Sequence, residues 1–369
     1  MELGQCCACA QGVNLEFKSL NIGNLKIEIP IIQGGMGVGV SNYSLVSAVS
    51  KEGALGVIAA VGLGETIDGP QIDYKERSDK ALRSSIQEIR KRTDKPFGVN
   101  IMCALTNYDQ LVAVAEEEGV DVIVSGAGLP MKLPSLVKGP RTKLFPIVSS
   151  GRAAHIICTN WGRKFNRLPD AIVVEGPLAG GHLGYSLEEL GDSEHYYLDK
   201  ILLDVIKVVK NFETALHKIP IFAAGGIFDG KDIARVMKLG ASGVQMATRF
   251  VCTHECDVSE KYKDIYINAK QEDVVIIQSP VGLPGRVINS DFVRRITAGE
   301  KIDFSCDYHC LITCDPKKVN YCIAKALLNA SRGQLDKGFA MCGSNVYRIN
   351  KIVSVKELIN ELVEEVKKN

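Results

Sequence analysis

The sequence predicts an α/β chain folded as a (β/α)8 barrel with a cysteine-rich, mainly helical C-terminal appendage, and three observations lead there. Eight short apolar or β-branched runs recur between residues 29 and 248. Between them lie stretches with apolar residues at three- and four-residue spacing, and several of these close with glycine, as helix C-caps tend to. Such alternation is the mark of parallel βα units, and eight units over this length match a closed barrel. A doubly wound sheet shares the periodicity, so the barrel rests on the count.

In order, the strands are expected at "IPIIQGG" (29–35), "LGVIAA" (55–60), "PFGVNIM" (96–102), "VDVIVSG" (120–126), "LFPIVSS" (144–150), "AIVVEG" (171–176), "IPIFAAGG" (219–226) and "GVQMAT" (243–248). Helices are expected in "YSLVSAVSKEG", "YDQLVAVAEEEG", "LLDVIKVVKNFETAL" and "KDIARVMKLG". After residue 275 the character changes: "SPVGLPGRVINSDF", a cysteine-rich stretch, a small-residue helix "CIAKALLNASRG" and a terminal helix "SVKELINELVEEVKKN". The expected organisation is a cysteine-containing N-terminal segment (1–20), the barrel (21–275) and an appendage packed on it (276–369).

Composition narrows the function classes. A chain of 369 residues with 46% hydrophobic content can bury a sizeable core. Its 44 Lys and Arg against 43 Asp and Glu, with no run of like charge, leave no electrostatic footprint for nucleic acid or an anionic membrane. No stretch approaches the roughly 20 apolar residues of a membrane helix, and "MELGQCCACAQG" lacks an export signal, so a cytoplasmic location is expected. In a long chain of this kind, twelve cysteines read as reduced thiols or metal ligands rather than a disulfide framework.

A barrel carries its active site at the C-terminal ends of its strands, with phosphate often held after strands seven and eight. "VEGPLAGGHLGY" (174–185) places Gly180, Gly181 and His182 after strand six. Strand seven ends in "AAGGI", with Gly225 and Gly226, and strand eight runs through Met246 and Ala247 to the hydroxyl of Thr248. Barrel geometry brings these three turns side by side, where they can converge on one phosphate. After strand one, "QGGMGVGV" does not match G-x-G-x-x-G in register. Gly34 and Gly35 instead let backbone pass flat against a planar ring, with Met36 as a soft contact, and Ser41 reads as the following N-cap. Asn100, Glu175 and Gln245 are polar residues at the ends of apolar strands, to be satisfied by a ligand or by local hydrogen bonds.

Together, "PIIQGGMG", "FGVNIM", "EGPLAGGHLG", "AAGGI" and "GVQMATRF" resemble the nitronate monooxygenase family, formerly the 2-nitropropane dioxygenases, which also includes the flavin-dependent bacterial enoyl-ACP reductase. The resemblance covers about residues 20 to 290. It implies a TIM barrel binding FMN, with Met36, Asn100 and Gln245 facing the flavin ring and Gly180, Gly181, Gly226 and Thr248 around the phosphate. It makes His182 the catalytic histidine, for which an imidazole titrating near neutral pH is apt chemistry. His155, His217 and His254 lie on helical or surface-like segments. Where the family often carries a glutamate, this chain has Leu178, so a substrate contact by that carboxylate is absent. The implied activity is oxidation of alkyl nitronates, with oxygen reoxidising the flavin. Its rivals are NAD(P)H-dependent reduction of an enoyl thioester and a non-catalytic flavin or iron–sulfur electron carrier. The expected partner is a small molecule, with neither nucleic acid nor membrane, and the terminal amphipathic helix can pack on the barrel or on a second copy in a homodimer.

"CDYHCLITCDPKKVNYC" separates Cys306, Cys310, Cys314 and Cys322 by three, three and seven residues. On a helix, steps of four would place the first three thiols nearly on one face, drifting by about 40° per step. An iron–sulfur cluster such as [4Fe–4S], a structural zinc, disulfides, and reduced thiols acting as small hydrophobes all remain open, with His309 as a substitute ligand. Cys6, Cys7 and Cys9 form a second group near the N-terminus.

Overall fold

The eight expected strands form, in the computed structural model, one closed parallel sheet: β1 (Ile31–Gln33), β2 (Gly56–Ala59), β3 (Phe97–Met102), β4 (Val122–Gly126), β5 (Lys143–Val148), β6 (Ile172–Glu175), β7 (Ile221–Ala224) and β8 (Gly243–Met246). The structure describes residues 16–66, 73–306 and 308–369, so Cys6, Cys7 and Cys9 lie outside the described residues. Strand order is β1-β8-β7-β6-β5-β4-β3-β2, and a parallel bridge between Ile32 and Leu55 closes the barrel.

Side chains alternate across each strand, so every second residue points inward. Ile32, Val57, Val124, Phe145, Val173, Phe222 and Ala224 fill the interior as one buried cluster. Phe145 and Phe222 stack there at 5.9 Å. An N-terminal hairpin, Leu20–Ile22 with Leu25–Ile27, adds Ile22, Leu25 and Ile27 to the same cluster. The inward set continues to the C-terminal end of the strands, and the residues that follow Val173 and Gly243 on that side are Glu175 and Gln245. Their register coincides: both pair with Ala224 of β7.

Helices surround the sheet, and two local expectations change. The helix Tyr43–Lys51 is capped by Asn42, whose side chain accepts from the Tyr43 N–H at 2.8 Å. Ser41 is fully buried and its hydroxyl instead accepts from the Met36 N–H (2.9 Å) and from Gln33 Nε2 (2.8 Å), pinning the loop after β1. The helix expected in "LLDVIKVVKNFETAL" begins earlier, at Leu198, and ends at Lys210. Beyond it Thr214 Oγ1 accepts from the His217 N–H at 3.1 Å while the Thr214 N–H donates to His217 O, a turn that competes with helix.

The C-terminal segment is built into the barrel's outer shell. A hairpin (Val274–Gln278 and Pro284–Ile288) pairs antiparallel with the two-residue strand Gly181–His182. Helices Asp291–Thr297, Ile323–Ser331 and Val355–Lys367 follow. The last, capped by Ser354 and Glu357, packs on the barrel helix Gly230–Lys238 and buries Leu358, Ile359, Leu362 and Val366, each such side chain contributing about 1.5–3 kcal/mol. Residues 298–322 are not helical among the described residues, which removes the helical-face premise for the cysteines. Their backbone groups are spent elsewhere: Cys310 O accepts from the Thr106 N–H (3.1 Å), the Ile312 N–H donates to Ala104 O (2.9 Å), and His309 adopts left-handed φ (43°).

Candidate functional site

A cavity of about 310 Å³ opens at the C-terminal ends of the strands. It is lined by Gly34, Gly35 and Met36 after β1, Asn100 of β3, Glu175 of β6, Gly180, Gly181 and His182 beyond it, Gly225 and Gly226 after β7, and Gln245, Met246, Ala247 and Thr248 at β8. The strand-end residues that the sequence singled out therefore share one enclosure. Thr248 begins a short helix, Thr248–Val251.

Close approach explains the glycines. A Cβ on Gly35 would stand 2.6 Å from Asn100 Cβ, and one on Gly34 would stand 3.2 Å from Gln245 Cγ, so the loop after β1 threads between these two amides. Gly225 has φ +92° and packs on the turn after β6, where a Cβ would meet Gly176 O at 2.8 Å. The turn after β6 packs in its own right on residues 342–343, since a Cβ on Gly180 would come within 2.5 Å of Cys342 C.

That last contact identifies a part of the site the sequence reading passed over. The turn Gly343-Ser344-Asn345 lines the cavity. Thr248 Oγ1 accepts from the Gly343 N–H at 2.9 Å, the Ser344 N–H donates to Leu178 O at 3.2 Å, and Asn345 Nδ2 donates to Gly226 O at 2.9 Å. The hydroxyl of Ser344 is buried without a hydrogen-bond partner. A buried unpaired hydroxyl costs about 1–3 kcal/mol, which an oxygen-rich ligand would relieve. Glycine turns after β6 and β7, the Thr248 hydroxyl after β8 and this orphan group make an anion cradle with the donors a phosphate takes. The residues present thus fit a ligand that carries a phosphate, and Met36, Asn100 and Gln245 line the remainder of the same cavity.

Two further residues were missed. Arg286, buried on the hairpin, donates from one Nη to Pro177 O (2.8 Å) and Ala179 O (2.5 Å), holding the loop that leads to the glycine pair. Ser279, also buried, has its hydroxyl 2.8 Å from His182 Nε2. His182 is therefore clamped twice, by backbone pairing of its short strand and by this hydroxyl. No local pattern could have found either residue, because the Ser279 contact spans 97 residues of sequence. "CGSN" carries a turn signal that could have flagged Ser344.

The electrostatics correct one expectation. Burial pushes His182 down to about 4, so its ring is neutral around pH 7. Burial lifts Glu175 to about 7, making this carboxyl the cavity group that titrates near neutrality. Its ordinary value of 4.5 holds in the unfolded chain, so its native proton is kept until pH 7 while the unfolded proton is lost earlier. The stabilisation it gives is present below pH 4.5 and lost as pH rises to 7. Glu175→Gln is expected to remove that loss: between pH 5 and pH 8 the flavin-free wild type should fall in Tm relative to the variant, as thermal melts at both pH values would report. His182 acts in the opposite sense, its contribution lost as pH falls from 6.5 toward 4.

Cys306, Cys310, Cys314 and Cys322 lie around a second cavity of about 310 Å³ beside the first. Among the described residues, no group of three or more His, Cys, Asp or Glu side chains is arranged to hold a single metal ion, and no helix is long and apolar enough to cross a membrane.

The profile of the family described as nitronate monooxygenase matches residues 18–108 and 102–365. A probable nitronate monooxygenase of Staphylococcus aureus (strain Newman) is 30% identical over 312 residues, covering 75% of this chain and 79% of that one. The (3aS,4S,5R,7aS)-5-hydroxy-7a-methyl-1-oxo-octahydro-1H-indene-4-carboxyl-CoA dehydrogenase of Mycobacterium tuberculosis is 30% identical over 275 residues, 74% of this chain and 67% of that one. Among solved structures, FabK from Thermotoga maritima superposes with a TM-score of 0.73 at 33% identity, covering 93% of this chain and 94% of that chain.

Proposed function

The chain belongs to the nitronate monooxygenase family of flavin-dependent oxidoreductases, and on that premise we propose that it binds FMN and oxidises alkyl nitronates, oxygen then reoxidising the flavin. The observation that carries this reading is the convergence, in one cavity, of the glycine turns after β1, β6 and β7 and of Thr248 after β8 with the imidazole of His182. Gly180, Gly181, Gly226, Thr248 and Ser344 would hold the phosphate, and Met36, Asn100 and Gln245 would orient the ring. FMN, when bound, supplies the two-electron chemistry.

His182 is the residue we assign to proton handling. Its neutral ring can take the proton from a nitroalkane carbon, which generates the nitronate, while a nitronate has already lost that proton and needs the ring only to position it. Ser279 Oγ, 2.8 Å from Nε2, suits either role: accepting from Nε2–H leaves the Nδ1 lone pair free to take a proton, and donating to Nε2 leaves Nδ1–H free to donate to a nitronate oxygen. Leu178, an exposed residue of the cavity lining, adds an apolar side chain there.

One observation favours a second reading, NAD(P)H-dependent reduction of an enoyl thioester. Reduction needs a proton delivered to the substrate, and Glu175, half protonated near pH 7 in the same cavity, can deliver one. The Mycobacterium tuberculosis relative is named for a carboxyl-CoA substrate, which is a thioester. Mixing the purified protein under argon with NADH, and separately with propyl-2-nitronate, separates the readings. Nitronate is expected to bleach the flavin and NADH to leave it oxidised; bleaching by NADH alone would put the reductase first.

A further inference from the structure

We propose that Cys306, Cys310, Cys314 and Cys322 ligate a [4Fe–4S] cluster in the second cavity, beside the candidate flavin site. All four cysteines line that one enclosure, which has a volume of about 310 Å³. The thiol of Cys310 lies within electrostatic reach of those of Cys322, Cys306 and Cys314.

A role as core-packing thiols describes other cysteines of this chain better. Cys158, Cys252, Cys256 and Cys342 are buried, whereas the four around the cavity are each only half-buried. Backbone and threonine hydrogen bonds hold the segment that carries them, and Cys310 and Cys314 also pack against a core cluster. Thr106 and Ala104 pair with Cys310 and Ile312, the Thr106 hydroxyl donates to His309 O at 2.9 Å, Thr313 Oγ1 donates to Val281 O at 2.9 Å, and the Ile302 N–H donates to Asn320 O at 2.8 Å. All four residues border one common space. A single tetrahedral zinc would need its sulfurs about 3.8 Å apart, from a Zn–S bond of roughly 2.3 Å. A cubane of four irons and four sulfides presents four separate corners, one per thiolate, and suits four thiols spread round a wider cavity.

The site adjoins the first cavity through a shared wall. Tyr308, Cys310, Leu311, Ile323 and Ala324 line both enclosures. A cluster bound here neighbours the flavin site, with Cys310 between the two.

The test uses the full-length protein purified without oxygen and, if iron is low, reconstituted anaerobically with ferrous iron and sulfide. About four irons and four acid-labile sulfides per chain are expected, with a paramagnetic signal after dithionite reduction. Cys314→Ser and, separately, Cys306→Ser should lower iron at least severalfold while flavin content, the measure of an intact barrel, stays at the wild-type level. Iron absent after reconstitution, one zinc per chain without sulfide, or iron undiminished in both variants would each overturn the proposal. Because iron and sulfide are assayed independently of flavin, failure here leaves the FMN reading standing, and loss of that reading leaves this one.

Discussion

His182→Ala is expected to lower kcat/KM by about 10²–10⁴ with flavin content unchanged, the range associated with loss of a positioned proton-transfer group. The imidazole sits at the cavity, neutral because burial holds it near 4, and its Nε2 meets the Ser279 hydroxyl at 2.8 Å. Removing it leaves the backbone pairing of Gly181 and His182 with Arg286 and Gly285 in place, so the fold has no reason to change. Steady-state turnover with nitronate or enoyl thioester, alongside bound-flavin absorbance, reads both quantities. Ser279→Ala should give a smaller loss, since it removes the ring's support and leaves the ring. Unaltered turnover with every small substrate in His182→Ala would leave the electron-carrier reading as the one that fits.

Gly180→Val is expected to weaken FMN binding by at least about 100-fold, equivalent to some 2.7 kcal/mol. A Cβ at this position would stand 2.5 Å from Cys342 C and 2.6 Å from Gly343 N, and backbone cannot rotate away as a flexible side chain does. The turn carrying Ser344 must then separate from the glycine pair, opening the anion cradle. Overpacking of this kind costs typically 1–3 kcal/mol in stability, so the barrel should still fold. Gly191 is the control: a Cβ there has nothing within 4 Å, and Gly191→Ala should retain flavin fully. Retention of flavin by Gly180→Val would remove the cradle from the phosphate assignment.

The sequence by itself determined the barrel strands, because apolar period and length are local properties and a parallel strand buried on both faces must read as a continuous apolar run. It also determined which strand-end residues meet, since closure of eight strands fixes their neighbours. It did not determine how 276–369 joins the site. Ser279, Arg286 and Ser344 act through contacts with the loop after β6 or its histidine, roughly a hundred residues or more away in the chain, and periodicity carries nothing over such distances. The protonation states were equally hidden: His182 is of the residue type that titrates near neutrality, yet burial moves it down to about 4 and raises Glu175 to about 7. The four cysteines were legible as a group, but the expected helix is not there; an irregular segment, paired through residues 310–312 with residues 104–106, brings all four to one cavity instead. Desolvation and long-range pairing are properties of the packed chain, so only the tertiary structure could decide them.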